Sequence, residues 1–295
     1  MSLKKTLRGT GVAVITPFKK NQEVDYDALE KHIDNLIKNG IEYVVTLGST
    51  GETATLNKEE MIDIANFTFD KVNNRVPVVV GISGNNTSQL LESLKSFNLE
   101  KATAVLSSSP SYNKPSQEGI FQHFKIFSEA SPKPVILYNV PSRTSSNMTA
   151  ETTIRLAKEC ENVAGIKEAS GMMVQCMHIL KNSPEDFLVV SGDDHLALPL
   201  IACGMDGVIS VAANCFPKDF CELIRAALSS DFESAKKLQR KLLVGMDLLF
   251  AENNPAGLKA FLSEMGMIEN VLRLPLVPLS EGLHQKVKEF IAELS

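Results

Sequence analysis

Val163-Ala-Gly-Ile-Lys167-Glu-Ala-Ser170 decides the fold: a short apolar run ends on a lysine and gives way at once to small and polar residues. Its length suits a strand, and a period of two puts Val163, Gly165 and Lys167 on one face. An apolar run without polar alternation belongs to a strand buried on both faces, as in parallel sheets covered by helices. If the lysine's face is the inner one, its ammonium points into the mouth of whatever the sheet encloses.

Working outward, runs of the same kind recur at residues 12–16, 43–47, 76–82, 102–106, 134–139, 187–191 and 207–211, which with 163–167 makes eight. Between them lie stretches with helical spacing. Leu29, Ile33, Leu36 and Ile37 precede Gly40, and Met61, Ile62, Ala65 and Phe69 follow Asn57, which has Glu60 three residues on as in a capping box. Eight βα units predict a (β/α)8 TIM barrel, preferred over an open doubly wound sheet. Past residue 211 the strand signal stops. Leu238, Leu242, Met246 and Leu249, then Leu283, Val287, Ile291 and Leu294, repeat at helical intervals. The expected division is a catalytic barrel over 1–225 and a C-terminal helical region over 226–295.

Composition removes several classes of function. A formal charge of −5 with both signs interspersed offers no basic face for nucleic acid. No apolar stretch is long enough for a membrane span, and Met1-Ser-Leu-Lys-Lys-Thr-Leu-Arg8 is not followed by an unbroken apolar segment, so a soluble, unprocessed cytoplasmic protein is expected. Five cysteines without CxxC spacing read as buried, reduced thiols. Five histidines without paired spacing argue against a metal site, and no GxGxxG, GxxxxGK[ST] or GxSxG segment is present.

In a barrel of this type the chemistry sits at the C-terminal ends of the strands. Lys167 is there; burial among apolar groups would lower its pKa and make its amine a nucleophile, although a strand-end lysine can also be structural. Gly48-Ser-Thr-Gly-Glu52 offers backbone N–H groups and two hydroxyls to a small anion. Tyr138-Asn-Val-Pro-Ser-Arg143 offers a phenol and a guanidinium suited to a carboxylate, although taken singly Tyr138 reads more readily as a packed aromatic and Arg143 as a surface charge. The segments 110–115, which holds Tyr112, and 191–195 are polar and correctly placed, and the pair Asp193-Asp194 could equally cap a helix.

Together, Gly48–Glu52, Tyr138–Arg143, Gly165-Ile-Lys-Glu-Ala169 and Ser191-Gly-Asp-Asp194 resemble the dihydrodipicolinate synthase branch of the pyruvate-dependent aldolase superfamily. The resemblance covers essentially the whole chain, including Asn254-Pro255. It implies that Lys167 forms a Schiff base with pyruvate and that the enamine adds to aspartate semialdehyde, without cofactor or metal. It further implies that Ser49 and Thr50 hold the pyruvate carboxylate, that Tyr138 shuttles protons through Ser49 to Tyr112, that Arg143 orients the second substrate, and that Gly192 and Ile209 line the site. Tyr112 is lent across a subunit interface in the family, which implies a homotetramer made of two dimers. The superfamily's N-acetylneuraminate lyases and related sugar-acid aldolases are the alternative; Arg143 after Pro141-Ser142 favours the synthases.

Two departures matter. Ser49 stands where the synthases usually carry Thr and the lyases Ser, so that position cannot separate the two. Lys58, Gln89 and Ser111 stand where lysine-inhibited members carry His, Glu and Tyr, so the charge complement and aromatic wall for L-lysine are missing and weak or absent feedback is expected.

Overall fold

The structure, a computed structural model, describes residues 2–294. Eight strands, β1 (Gly9–Ala13), β2 (Tyr43–Thr46), β3 (Val78–Gly81), β4 (Ala104–Ser108), β5 (Val135–Asn139), β6 (Val163–Glu168), β7 (Leu188–Ser191) and β8 (Gly207–Ser210), form one closed parallel barrel in sequence order. Closure is made by β1 on β8, with Gly9 opposite Gly207 and Val12 opposite Ser210. Helices between the strands cover the outside. The one over Lys58–Val72 starts on a reciprocal cap, in which Asn57 Oδ1 accepts from Glu60 N at 2.8 Å and Glu60 Oε2 accepts from Asn57 N at 2.9 Å.

The structure corrects the sequence reading at two strands. The first strand lies at Gly9–Ala13 and not at 12–16. Its first half, Gly-Thr-Gly, carries no apolar signal because the space it would fill belongs to Tyr43: a Cβ on Gly11 would stand 2.2 Å from that ring. In β6 the even spacing fails, since Val135 pairs with Val163 but Ile136 pairs with Gly165. This bulge at Ala164 turns Val163 outward into the layer between barrel and helices, and leaves Gly165 and Lys167 facing inward.

Inside the barrel, Tyr43, Val45, Ala104, Leu106, Ile136 and Leu188 interdigitate with their neighbours, and Leu7 closes the N-terminal end from below, with Leu3 of the helix Leu3–Thr6 packed against it. The interior is therefore a filled core, open only towards the strands' C-terminal ends.

The helix Pro217–Leu228 completes the eighth unit and runs through the boundary expected at 225–226. Helices Phe232–Phe250, Ala256–Glu264 and Glu281–Leu294 follow. Phe216, Phe261 and Phe290 meet edge to face with centroids 5.5–6.0 Å apart, joining the barrel's last loop to two of these helices. Truncating one such buried ring to Ala costs about 3–5 kcal/mol. All five cysteines are free; four are buried, but Cys203, on the turn after the short helix Ala197–Ala202, is exposed against expectation. Among the described residues no helix is long and apolar enough to cross a membrane.

Candidate active site

A cavity of about 690 Å³ opens at the C-terminal end of the barrel, a size suited to small ligands. Ala13, Val45 and Leu106 form its depth, while Ser49, Thr50, Tyr138, Arg143, Lys167 and Gly192 stand along its wall. Six of the eight expected residues are thus brought together from four different strand ends.

Lys167 ends β6 inside this cavity, with Nζ 4.4 Å from the centre of the Tyr138 ring. Among the described residues it makes no ion pair. Its pKa falls to about 8, mainly because burial disfavours the cation; the negative charge of Asp194 pulls it back up and the Arg143 guanidinium pushes it down. Burial raises the pKa of Tyr138, while the positive charge of Arg143 and a hydrogen bond with Ser49 lower it again. The lysine leans on Gly192, where a Cβ would lie 2.8 Å from Lys167 Cε. No other residue type leaves that room.

The turn after β2 is a short 3-10 segment, Ser49–Gly51, held from three sides. Thr16 Oγ1 donates to Gly51 O at 2.8 Å. Thr50 Oγ1 accepts from Asn254 Nδ2 at 2.9 Å. Glu52, in the left-handed region at φ +54°, turns its carboxylate down to Lys259 Nζ at 2.5 Å, both side chains being fully buried. Lys259 Nζ also donates to Val271 O at 2.9 Å and sits 4.1 Å over the Phe18 ring, and Arg273 N donates to the second Glu52 oxygen at 3.2 Å. Burial lowers the Lys259 pKa to about 8 against the opposing pull of Glu52.

On the opposite wall, Arg143 Nη2 donates to the backbone carbonyl of Asn254 at 3.2 Å. The Asp pair after β7 divides its work. Asp193 Oδ1 accepts from His195 N at 3.0 Å and Leu196 N at 3.4 Å, as a cap would, and hydrogen bonding to Asp193 leads in raising the His195 pKa. Asp194 reaches across to β8, where Oδ2 accepts from Val211 N at 3.0 Å and Ala212 N at 2.8 Å.

Two expected residues are not brought to the cavity of a single chain. Ile209 is buried in the barrel interior one layer below, and Val211 takes the wall position above it. Tyr112 is 91 % exposed with φ +68°, although its neighbours Ser109 and Ser111 line the cavity. Sequence reasoning assigned no role to Asn254, Glu52 or Lys259. The Asn254-Pro255 dipeptide and the closing residue of the Gly48–Glu52 turn were the local marks, and contacts across some 200 residues leave no periodic trace.

The model of the Dihydrodipicolinate synthetase family matches residues 6–294. The chain belongs to that family. A curated relative from Parabacteroides distasonis, named 4-hydroxy-tetrahydrodipicolinate synthase, is 48 % identical over 289 residues, covering 98 % of this chain and 97 % of that protein. The chain is also similar to a chloride-inhibited dihydrodipicolinate synthase from Acinetobacter baumannii solved with pyruvate, at 38 % identity and a TM-score of 0.95 over 98 % of this chain and 99 % of that one. A monomeric dihydrodipicolinate synthase variant is similar at 39 % identity and a TM-score of 0.95, over 98 % and 97 % of the two chains. In this member of the family, the end of the helix Phe232–Phe250 and the turn after it, through Phe250, Asn253 and Asn254, complete the cavity that the barrel begins.

Proposed function

We propose that this protein condenses pyruvate with L-aspartate 4-semialdehyde to 4-hydroxy-tetrahydrodipicolinate, the committed step towards diaminopimelate and lysine. Lys167 carries the reading: a buried lysine with a pKa of about 8 and no ion pair among the described residues, on the wall of the cavity. A substantial fraction of its amine is neutral near pH 7.5, as attack on a carbonyl requires.

Lys167 Nζ attacks C2 of pyruvate, and loss of water gives an imine that acts as an electron sink. Loss of a proton from C3 gives the enamine. Its C3 bonds to the aldehyde carbon of the semialdehyde while a proton reaches the new alkoxide. The semialdehyde's amine then displaces Lys167 from C2, closing the ring and freeing the lysine. Neither metal nor organic cofactor is needed. Ser49 and Thr50 take the pyruvate carboxylate, Tyr138 moves protons, and Arg143 pairs with the carboxylate of the second substrate. Gly192 leaves room for the Schiff base, and Ile209 packs beneath it.

Tyr112 completes the proton relay in a partner subunit, within a homotetramer of two dimers. An aromatic ring held almost wholly in water beside the cavity's rim supports this reading, because such a ring gains most from burial against another surface. The free thiols and the biosynthetic chemistry support a cytoplasmic location.

Borohydride reduction in the presence of pyruvate, followed by peptide mass mapping, tests the mechanism: the adduct is expected on Lys167, and an unmodified Lys167 overturns it. Turnover of aspartate semialdehyde against N-acetylneuraminate tests the substrate, with turnover of the former alone expected.

A further inference from the structure

We propose that Asn254, from the C-terminal region, is a positioning residue that sets which way the Thr50 hydroxyl donates and tethers Arg143, so that one residue prepares both carboxylate sites. The proposal rests on the function assigned above.

Asn254 is nearly fully buried, lies on the cavity wall, and contacts two site residues far from it in sequence. Its Nδ2 donates to Thr50 Oγ1 at 2.9 Å, and its backbone carbonyl accepts from Arg143 Nη2 at 3.2 Å. A threonine hydroxyl has one proton to give and two lone pairs to receive with. Because the amide occupies a lone pair, the hydroxyl proton is left for a bound carboxylate. The reverse amide orientation would put Oδ1 against Thr50, draw that proton away from the ligand and bury both amide N–H groups without an acceptor. In the orientation observed only Oδ1 lacks a partner. One unpaired carbonyl oxygen is the lesser cost.

The two contacts use different parts of the residue, and this makes the proposal sharp. The side chain acts on Thr50 and hence on pyruvate, whereas the tether on Arg143 is main chain and survives substitution. Asn254→Ala is expected to raise the KM for pyruvate roughly 10-fold or more, the scale of one hydrogen bond to a charged group, with kcat and the KM for the semialdehyde within about twofold. Asn254→Asp keeps the shape but accepts the Thr50 proton and adds a negative charge, so it raises the pyruvate KM further than Ala; it also serves if the Ala variant folds poorly. In a Thr50→Val background, Asn254→Ala has nothing left to orient, and its effect on the pyruvate KM should vanish.

An unchanged pyruvate KM in either single variant, a loss confined to kcat, or additive effects in the double variant overturns the proposal. If pyruvate and borohydride leave the wild-type enzyme unlabelled, both this and the assigned function fall. Labelled wild type with unchanged KM in the variants overturns this proposal alone.

Discussion

Two lysines of this chain are buried, both lie near an aromatic ring, and burial lowers both to a pKa of about 8. Their surroundings differ in every other respect. Lys259, in the helix Ala256–Glu264, is closed in by the Glu52 carboxylate, the Val271 carbonyl and the Phe18 ring. Lys167, at the end of β6, faces open cavity, and the charge that acts to keep it protonated, Asp194, makes no ion pair with it and turns one carboxylate oxygen to two backbone amides of the β8 loop. A lowered pKa therefore does not make a nucleophile. A lysine whose donors are all engaged is a rivet; the same lysine with room beside it is a reagent.

The strongest way to break this comparison is to remove each lysine. Lys167→Ala should abolish the pyruvate–borohydride adduct and lower kcat by at least about a thousandfold while leaving thermal unfolding near wild type. Lys259→Met should do the reverse at first order: it leaves Glu52 buried and unpaired, which costs about 3–5 kcal/mol and lowers Tm on the order of 10 °C, while the folded enzyme still forms the adduct. An adduct that survives in the first variant, or a Tm unchanged in the second, would collapse the distinction.

Crowding Lys167 should be the next largest effect. Gly192→Ala introduces a Cβ 2.8 Å from Lys167 Cε, so the lysine must shift. The rate of adduct formation should then drop about 100-fold, as for other displacements of a reacting group, and single-turnover labelling measures it. Alanine tolerated at full rate would show that the lysine is not held there.

Acidity sharpens the comparison from the other side. In the proposed mechanism Lys167 reacts as the neutral amine, so the labelling rate should rise with pH through about 8 and level off above it. One unit below that midpoint only about a tenth of the amine is neutral. A rate flat between neutrality and this midpoint would mean that the lysine does not titrate there. The smallest effect expected is that of L-lysine: Lys58 brings a cation to the cavity wall and Ser111 donates to Asn85 Oδ1 in place of an aromatic face. Inhibition at saturating pyruvate should stay weak, and a sub-millimolar inhibition constant would contradict it.

How much of this could be read in the sequence follows the same division. Strands sealed on both faces must be apolar throughout, so seven of them announced themselves within a few residues of their bounds. The first did not, because at Gly11 the filling atom is supplied by Tyr43, and a glycine carries no hint of what presses on it. At β6 the period of two placed Lys167 correctly but Val163 wrongly, since a bulge is a single extra residue with no chemical mark at Ala164. Lys167, Tyr138, Arg143 and the turn at Ser49-Thr50 could be placed beside the cavity because they stand at strand ends, whereas the roles proposed for them came from the family resemblance. Asn254, Glu52 and Lys259 were not, because their roles exist only through partners brought together by barrel closure and helix docking. Exposed Tyr112 marks another limit: one chain shows it in water, and the role proposed for it needs a second chain.

The sealed floor of the barrel has a consequence for traffic. With Tyr43 and Leu7 plugging the end opposite the cavity, there is one doorway, and arrivals and departures share it. The guest that sits deepest must come in first and the finished ring must leave before the next round begins. On the roles proposed here, a second substrate that reached Arg143 too early would stand in pyruvate's path, and an excess of it would slow the cycle it is meant to feed.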